Sequence, residues 1–172
     1  TPDVEARMTL YALAAEKMGV DLIVSTCSTV GEVADRLAKI VRVPLIKIDE
    51  PMAKAAVKAG TKIALIATVA TTLGPSRRQI EKFGCEQGKE MKITEYLDKE
   101  AWESLTVGDK AKHNQILMKS IRELDKQGYD AIVMAQISMR ALLPDLKDVK
   151  TPLLCSFYSG LDYVLQLLKE KK

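Results

Sequence analysis

The sequence predicts an α/β protein of two pseudosymmetric lobes, each with a parallel sheet, and a ligand cleft between them. Three observations lead there. Short, continuous apolar runs such as Leu22–Ser25 and Lys62–Ala67 have the character of buried parallel strands, and they alternate with segments of helical rhythm. The chain also repeats itself. Gly19-Val20-Asp21-Leu22-Ile23-Val24 returns as Gly128-Tyr129-Asp130-Ala131-Ile132-Val133, and Val41-Arg42-Val43-Pro44-Leu45-Ile46 returns as Val149-Lys150-Thr151-Pro152-Leu153-Leu154. Finally, the loops after the repeated strands differ. The first is Ser25-Thr26-Cys27-Ser28-Thr29 and the second is Met134-Ala135-Gln136-Ile137-Ser138, so Cys27 faces Gln136 in the repeat register. Equivalent loops of a pseudo-twofold protein meet at the lobe interface, and ligands of parallel sheets gather at the carboxyl ends of strands.

The elements follow in order. Apolar positions at Met8, Leu10, Tyr11, Leu13, Ala14 and Met18 predict a helix over 5–18, ended by Gly19. A buried strand over 22–25 leads through Ser28 and Thr29 into a helix reaching about Ile40. A strand over 44–48 precedes a helix from Pro51, where a first turn tolerates proline, to Ala59. The strand 62–67 is followed by a helix from Pro75 to about Phe83, and 93–97 is a weaker edge strand. Residues 98–107 read as a polar connection carrying the sole tryptophan, Trp102. A long helix over 109–127, the strand 131–135, a helix around 139–146, the strand 153–157 and a helix over 160–169 complete the chain. The predicted division is a first lobe over 1–60, a second over 61–158 and a C-terminal helix over 159–172. The strand at Ile63 has no first-copy counterpart within the chain, so the first lobe is expected to lack its first strand and helix.

Composition excludes several function classes. The 172 residues carry a net charge of +3, with 47% apolar and 28% charged residues, as in an ordinary soluble globular protein. No apolar run approaches a membrane span, and no signal-peptide pattern opens the sequence. Basic residues are scattered, with no nucleic-acid footprint; Lys169, Lys171 and Lys172 read as a solvated helix end. Three widely spaced cysteines (Cys27, Cys85, Cys155) and one histidine, His113, argue against a disulfide framework and against a metal site. A cytoplasmic enzyme with free thiols fits best.

Chemistry is expected in the loops that follow strands. Cys27 lies between a strand and a helix start, where backbone amides bind a carboxylate and lower a thiol pKa. It can equally be a small core residue, with Ser28 or Thr29 as a helix cap; spacing alone leaves both readings open. Thr68 and Thr71 follow the next strand and can offer hydroxyls to the other end of a small acid, whereas Thr72 reads as a cap. Lys47, Asp49 and Glu50 end a strand and can line a pocket or be solvated ahead of a helix; Lys47 reads as solvated. Cys155 reads as core, Cys85 as an exposed or half-buried thiol, His113 as a surface residue, and Arg77 and Arg78 as solvated.

Strand–Ser-Thr-Cys-Ser-Thr–helix over 24–30, followed by Val-Pro-Leu-Ile-Lys-Ile-Asp-Glu-Pro over 43–51 and the Ala-Thr-x-x-Thr run over 67–71, resembles the aspartate/glutamate/hydantoin racemase superfamily. The resemblance covers almost the whole chain in element order. It implies a substrate in the cleft between two lobes, a small carboxylate substrate, no cofactor and a homodimer. In such racemases one cysteine thiolate removes the α-proton and an opposite cysteine returns a proton to the other face. Family motifs around that second cysteine align onto Met134-Ala135-Gln136-Ile137, so Gln136 stands where the cysteine belongs. Glutamine does not exchange protons near neutral pH, which speaks against plain two-base racemisation. The resemblance therefore implies Cys27 as acid–base group or nucleophile and Gln136 and Ser138 on the opposite wall. Ser28, Thr29, Thr68, Thr71 and Glu50 would bind substrate. One-cysteine decarboxylation or diacid isomerisation are its alternatives. A small-acid binding protein without chemistry competes from another class. A nucleotide-binding fold is disfavoured because no G-x-G-x-x-G or P-loop is present.

Overall fold

The structure, a computed structural model, describes residues 1–170; Lys171 and Lys172 lie outside the described residues. Among the described residues, six strands and seven α-helices follow one another: α1 (Pro2–Lys17), β1 (Ile23–Ser25), α2 (Gly31–Leu37), β2 (Leu45–Lys47), α3 (Glu50–Ala59), β3 (Lys62–Ala67), α4 (Ala70–Glu86), β4 (Lys92–Leu97), α5 (Lys99–Thr106), α6 (Lys110–Asp125), β5 (Ala131–Met134), β6 (Leu153–Cys155) and α7 (Ser156–Glu170). Short 3-10 segments at Ser28–Val30 and Ile137–Asp145 follow β1 and β5. All strand pairs are parallel. They form a two-stranded sheet, β1-β2, and a four-stranded sheet in the order β4-β3-β5-β6.

The repeat is visible in strand register. In the small sheet Ile23 pairs with Leu45 and Val24 with Ile46; in the large one Ile132 pairs with Leu153 and Val133 with Leu154. The same repeated residues therefore face each other in both sheets.

The large sheet has a core on each face. Ile63, Leu65, Ala67, Ala131 and Val133 point toward α3 and α4, where Met52, Val57, Ile80 and Phe83 meet them. The alternate residues Ala64, Ile66, Ile132 and Met134 point toward α5 and α6, against Ala101, Leu117, Ile121 and Leu124. Burial on both faces explains why β3 and β5 are continuously apolar rather than alternating. A smaller cluster of Ala12, Leu37 and Val41 joins α1 and α2 to the β1-β2 sheet.

The repeated Gly-x-Asp has a structural task in its second copy. Asp130 Oδ2 accepts the backbone N–H groups of Thr61 and Lys62, both at 2.8 Å, and so ties the start of β5 to the start of β3. A Cβ at Gly60 would overlap that carboxylate, which is why the residue ending α3 has no side chain.

Several expectations need correction. Residues 98–107 are not a plain connection, because 99–106 form α5. Its buried Ala101 and Ser104 face α6, and the Ala101 carbonyl lies 2.8 Å from His113 Nδ1. His113 is accordingly buried rather than on the surface; a helix–helix bond of this kind leaves no trace in local spacing. The helix expected around 139–146 is present, as 3-10 turns over Ile137–Asp145. The last strand ends at Cys155 and the final helix begins at Ser156, before Gly160. α4 starts at Ala70, with Pro75 inside it. The proline removes only the N–H that would reach the Thr71 carbonyl, and Thr71 is exposed, so water can satisfy that oxygen.

Asp98, at the cap position of α5, is half-buried. Ser120 donates to its Oδ1 at 3.1 Å, while its buried Oδ2 has no partner. Burial pushes the Asp98 carboxyl above the usual carboxylate range, partly offset by the Ser120 bond. A carboxyl raised in the folded state contributes stability below its unfolded pKa and loses it as pH rises through the folded value. Asp98→Asn keeps the shape without the charge. Its stability relative to the parent should therefore rise between about pH 3 and about pH 7, read as urea midpoints at the two pH values. Equal differences at both would show that the charge carries no cost.

Candidate functional site

The loops after four strands converge on one cavity of about 330 Å³. Thr26 to Thr29 come from the end of β1, and Val69 and Thr72 from the end of β3. Ala135 to Ser138 follow β5, Ser156 follows β6, and Trp102 of α5 closes one side. This is the carboxyl-end position that parallel sheets favour. Cys27 and Gln136, opposed in the sequence repeat, both line it.

Cys27 is exposed. It holds an extended conformation (φ −121°, ψ 110°) ahead of a 3-10 turn closed by the Val30 N–H on the Cys27 carbonyl at 3.2 Å. The turn has three residues and α2 only seven, so the helix dipole expected behind Cys27 is short. Longer dipoles arrive from elsewhere. The 17-residue α4 begins just after Val69 and the 15-residue α7 begins at Ser156, so two long helices bring their N-terminal ends to the cavity wall.

The hydroxyls around the cavity are largely committed. Ser28 donates its O–H to Asp49 Oδ2 at 2.5 Å, and Gln79 Nε2 donates to Asp49 Oδ1 at 3.3 Å, which settles the buried Asp49 carboxylate. Thr68 is buried and does not line the cavity. Its N–H and O–H both donate to Gln136 Oε1, at 2.6 and 2.9 Å. With both lone-pair directions of that oxygen used, the glutamine's remaining polar group is its donor-only NH₂. Thr29 and Thr71 hydroxyls lie 3.3 Å apart at the rim and join the Cys27 loop to the start of α4. Ser138 is exposed and lines the cavity beside Gln136.

Glu50 lies elsewhere. It pairs with Lys54 at 2.6 Å and lines a neighbouring cavity of about 220 Å³ with Glu32, Asp35, Lys47, Arg78 and Lys82. Lys47 is largely buried there against Asp35, at 2.8 Å. Ser28 lines both spaces. Sequence reading missed Trp102, because α5 was not recognised, and it did not foresee that Asp49 is buried between Ser28 and Gln79. Among the described residues no cluster of histidine, cysteine and acidic side chains could hold a metal ion, and no helix is long and apolar enough to cross a membrane.

Cys155 sits behind the cavity wall, its Sγ 4.0 Å from the Ile137 carbonyl; burial pushes its thiol pKa up. A thiol-disulfide reagent should therefore titrate Cys27 and Cys85 rapidly in the native protein and Cys155 only after denaturation. Three fast thiols in the native state would contradict this packing.

The fold and the cleft define an α/β protein of the two-lobed racemase type. Residues 2–162 match the Asp/Glu/Hydantoin racemase family, and the chain belongs to it. It is similar in structure to glutamate racemase isoform RacE1 from Bacillus anthracis (TM-score 0.73, 15% identity, covering 99% of this chain and 66% of that one). It is also similar to allantoin racemase from Klebsiella pneumoniae (0.70, 20%, 97% and 67%) and to a variant of arylmalonate decarboxylase in a sulfate-associated form (0.61, 12%, 99% and 76%). At these identities the likeness is one of fold. The chain spans about two thirds of the length of the two racemases.

Proposed function

We propose that the chain is a cofactor-independent enzyme acting at the α-carbon of a small amino acid or other carboxylate, with Cys27 as its one proton-transferring group. The observation that carries this reading is that an exposed cysteine and a glutamine whose oxygen is already taken by Thr68 line one cavity. The carboxylate sits among the loop amides at Ser28 and Thr29 and the helix ends at Val69 and Ser156, where donors and positive dipole ends favour an anion. In exchange the Cys27 thiolate takes the α-proton; in decarboxylation of a malonic acid carbon dioxide leaves and no base is needed. Either step sends an electron pair into the remaining carboxylate as an enediolate, and the Gln136 NH₂ and the amides stabilise the developing charge. In exchange the Cys27 thiol trades its proton with solvent and returns one to the α-carbon, which regenerates the thiolate; in decarboxylation the thiol protonates the α-carbon and a solvent proton restores the thiol. Thr68 holds Gln136, Ser138 borders the opposite face, and Thr71 and Glu50 flank the entrance and the neighbouring space. A cytoplasmic setting and a homodimer belong to the same reading.

The Gln136 arrangement favours one-sided proton transfer, as in decarboxylation or single-face isomerisation, over two-base racemisation. The test is incubation in deuterated water with amino acids, hydantoins, and unsaturated and malonic diacids. Deuterium at the α-carbon without racemisation is the expected result. Binding without any exchange or turnover across the panel would leave a binding protein and remove the enzyme.

A further inference from the structure

We infer that the substrate's α-substituent is apolar and planar, an aryl group foremost, and that Trp102 is the residue that selects it. The inference rests on the cavity at Cys27 being a carboxylate site, and it concerns what occupies the rest of that space.

The chemistry of the wall is uneven. Among the described residues lining the cavity there is no lysine, arginine, histidine, aspartate or glutamate. Its polar groups are hydroxyls, a thiol and an amide, all from the loops after strands. Its apolar surface comes from Val69, Ile137 and the indole of Trp102. A volume of about 330 Å³ is at the small end for ligand pockets, so a carboxylate and one substituent would fill it. The amides and helix ends serve one negative charge. A second carboxylate, as on aspartate or glutamate, would meet no counter-ion there, and an unpaired charge removed from water is costly.

The nearby cations lie in the adjoining cavity and none lines this one. Lys47 and Arg78 are paired with Asp35 at 2.8 Å and Glu32 at 2.6 Å, and Lys82 sits over the Phe83 ring, 5.7 Å from its centroid. Trp102, by contrast, is 42% exposed on a helix whose inner side is fixed. Ala101 beside it is fully buried, and its carbonyl is held at His113. A large aromatic face on a rigid support, open to a charge-free cavity, is suited to offset or edge-on contact with another ring.

Trp102 is also the sole tryptophan, so its fluorescence reports this wall directly. The experiment titrates the full chain with phenylacetate, 2-phenylpropionate, acetate, succinate and glutamate. Fluorescence is followed for the parent, and calorimetry is used for the parent, Trp102→Ala and Trp102→Phe. The aryl acids should bind at least about tenfold tighter than succinate and glutamate and should perturb the emission. Trp102→Ala should bring the ratio to near unity, and Trp102→Phe should retain most of it, with circular dichroism unchanged in both. Dicarboxylates binding as tightly as aryl acids, for instance by reaching Lys47 past Ser28, would overturn the inference. So would an unchanged ratio in Trp102→Ala. Those outcomes leave the carboxylate site standing, whereas no binding by any of the acids removes the underlying reading as well.

Discussion

Cys27→Ser is expected to lower deuterium incorporation at the α-carbon by about 10²–10⁴-fold, the usual worth of a positioned proton-transfer group. The oxygen replaces sulfur in the same loop, so the surrounding bonds from Ser28 to Asp49 and from Val30 to the Cys27 carbonyl can persist. A thiol ordinarily titrates near 8.5, whereas an unaided serine hydroxyl is a far weaker acid. Carboxylate binding, read from Trp102 emission, should be largely retained, because in the proposed site amides and helix ends hold the anion rather than the sulfur. Cys85→Ser is the matched control: that thiol lies near the end of α4, outside the cavity, and its loss should leave exchange unchanged. Equal exchange rates for Cys27→Ser and the parent would take Cys27 out of the chemistry.

Gly160→Ala is expected to cost about 1–3 kcal/mol, the range for overpacking a filled interior. In a chain of this size that is a fall in Tm of about 2–4 °C for each kcal/mol. Gly160 is buried in α7, and a Cβ there would overlap both the side chain and the carbonyl oxygen of Ile48. Backbone cannot rotate aside as a side chain can, so α7 must move away from the β2–α3 connection. That shift reaches the cavity twice: α7 begins at Ser156, and Ile48 precedes Asp49, the acceptor of the Ser28 hydroxyl. Weaker carboxylate binding should accompany the lower Tm. Gly74→Ala offers the comparison. Its Cβ would meet only the flexible end of Arg78, at 3.1 Å, and alanine suits a helix better than glycine, so its Tm should be unchanged or higher. An equal fall for both variants would point to glycine loss in general rather than to the α7 contact.

Much of the architecture was legible because it is written in period and repetition. The unbroken apolar runs of β3 and β5 announce strands covered on both faces, and the register shared by β1-β2 and β5-β6 follows the sequence repeat. The meeting of two loops of the candidate site was legible, since Cys27 and Gln136 follow equivalent strands and line one cavity. What escaped depends on contacts between distant segments. His113 looks like one polar residue of a charged helix until α5 packs over it. The Ser28 hydroxyl looks available until the buried Asp49 is seen to accept its proton. Thr68 looks like a ligand for substrate until Gln136 takes both its donors. Partner choice among hydroxyls is settled by a few ångströms of tertiary geometry, which local spacing does not encode. α5 itself was missed because its eight residues span only about two turns, too short a window for a helical rhythm to declare itself.

The clamp of Thr68 on Gln136 has a stereochemical consequence. A planar enediolate has two faces that differ only as mirror images, and a site distinguishes them by where it can supply a proton. In the proposed site, the glutamine oxygen fixed on Thr68 leaves one wall a donor of hydrogen bonds that surrenders no proton, and the thiol is assigned to the other. Under the proposed chemistry such a cavity is itself handed. It would deliver product of a single configuration, and a prochiral malonic acid would emerge optically pure rather than as an equal mixture.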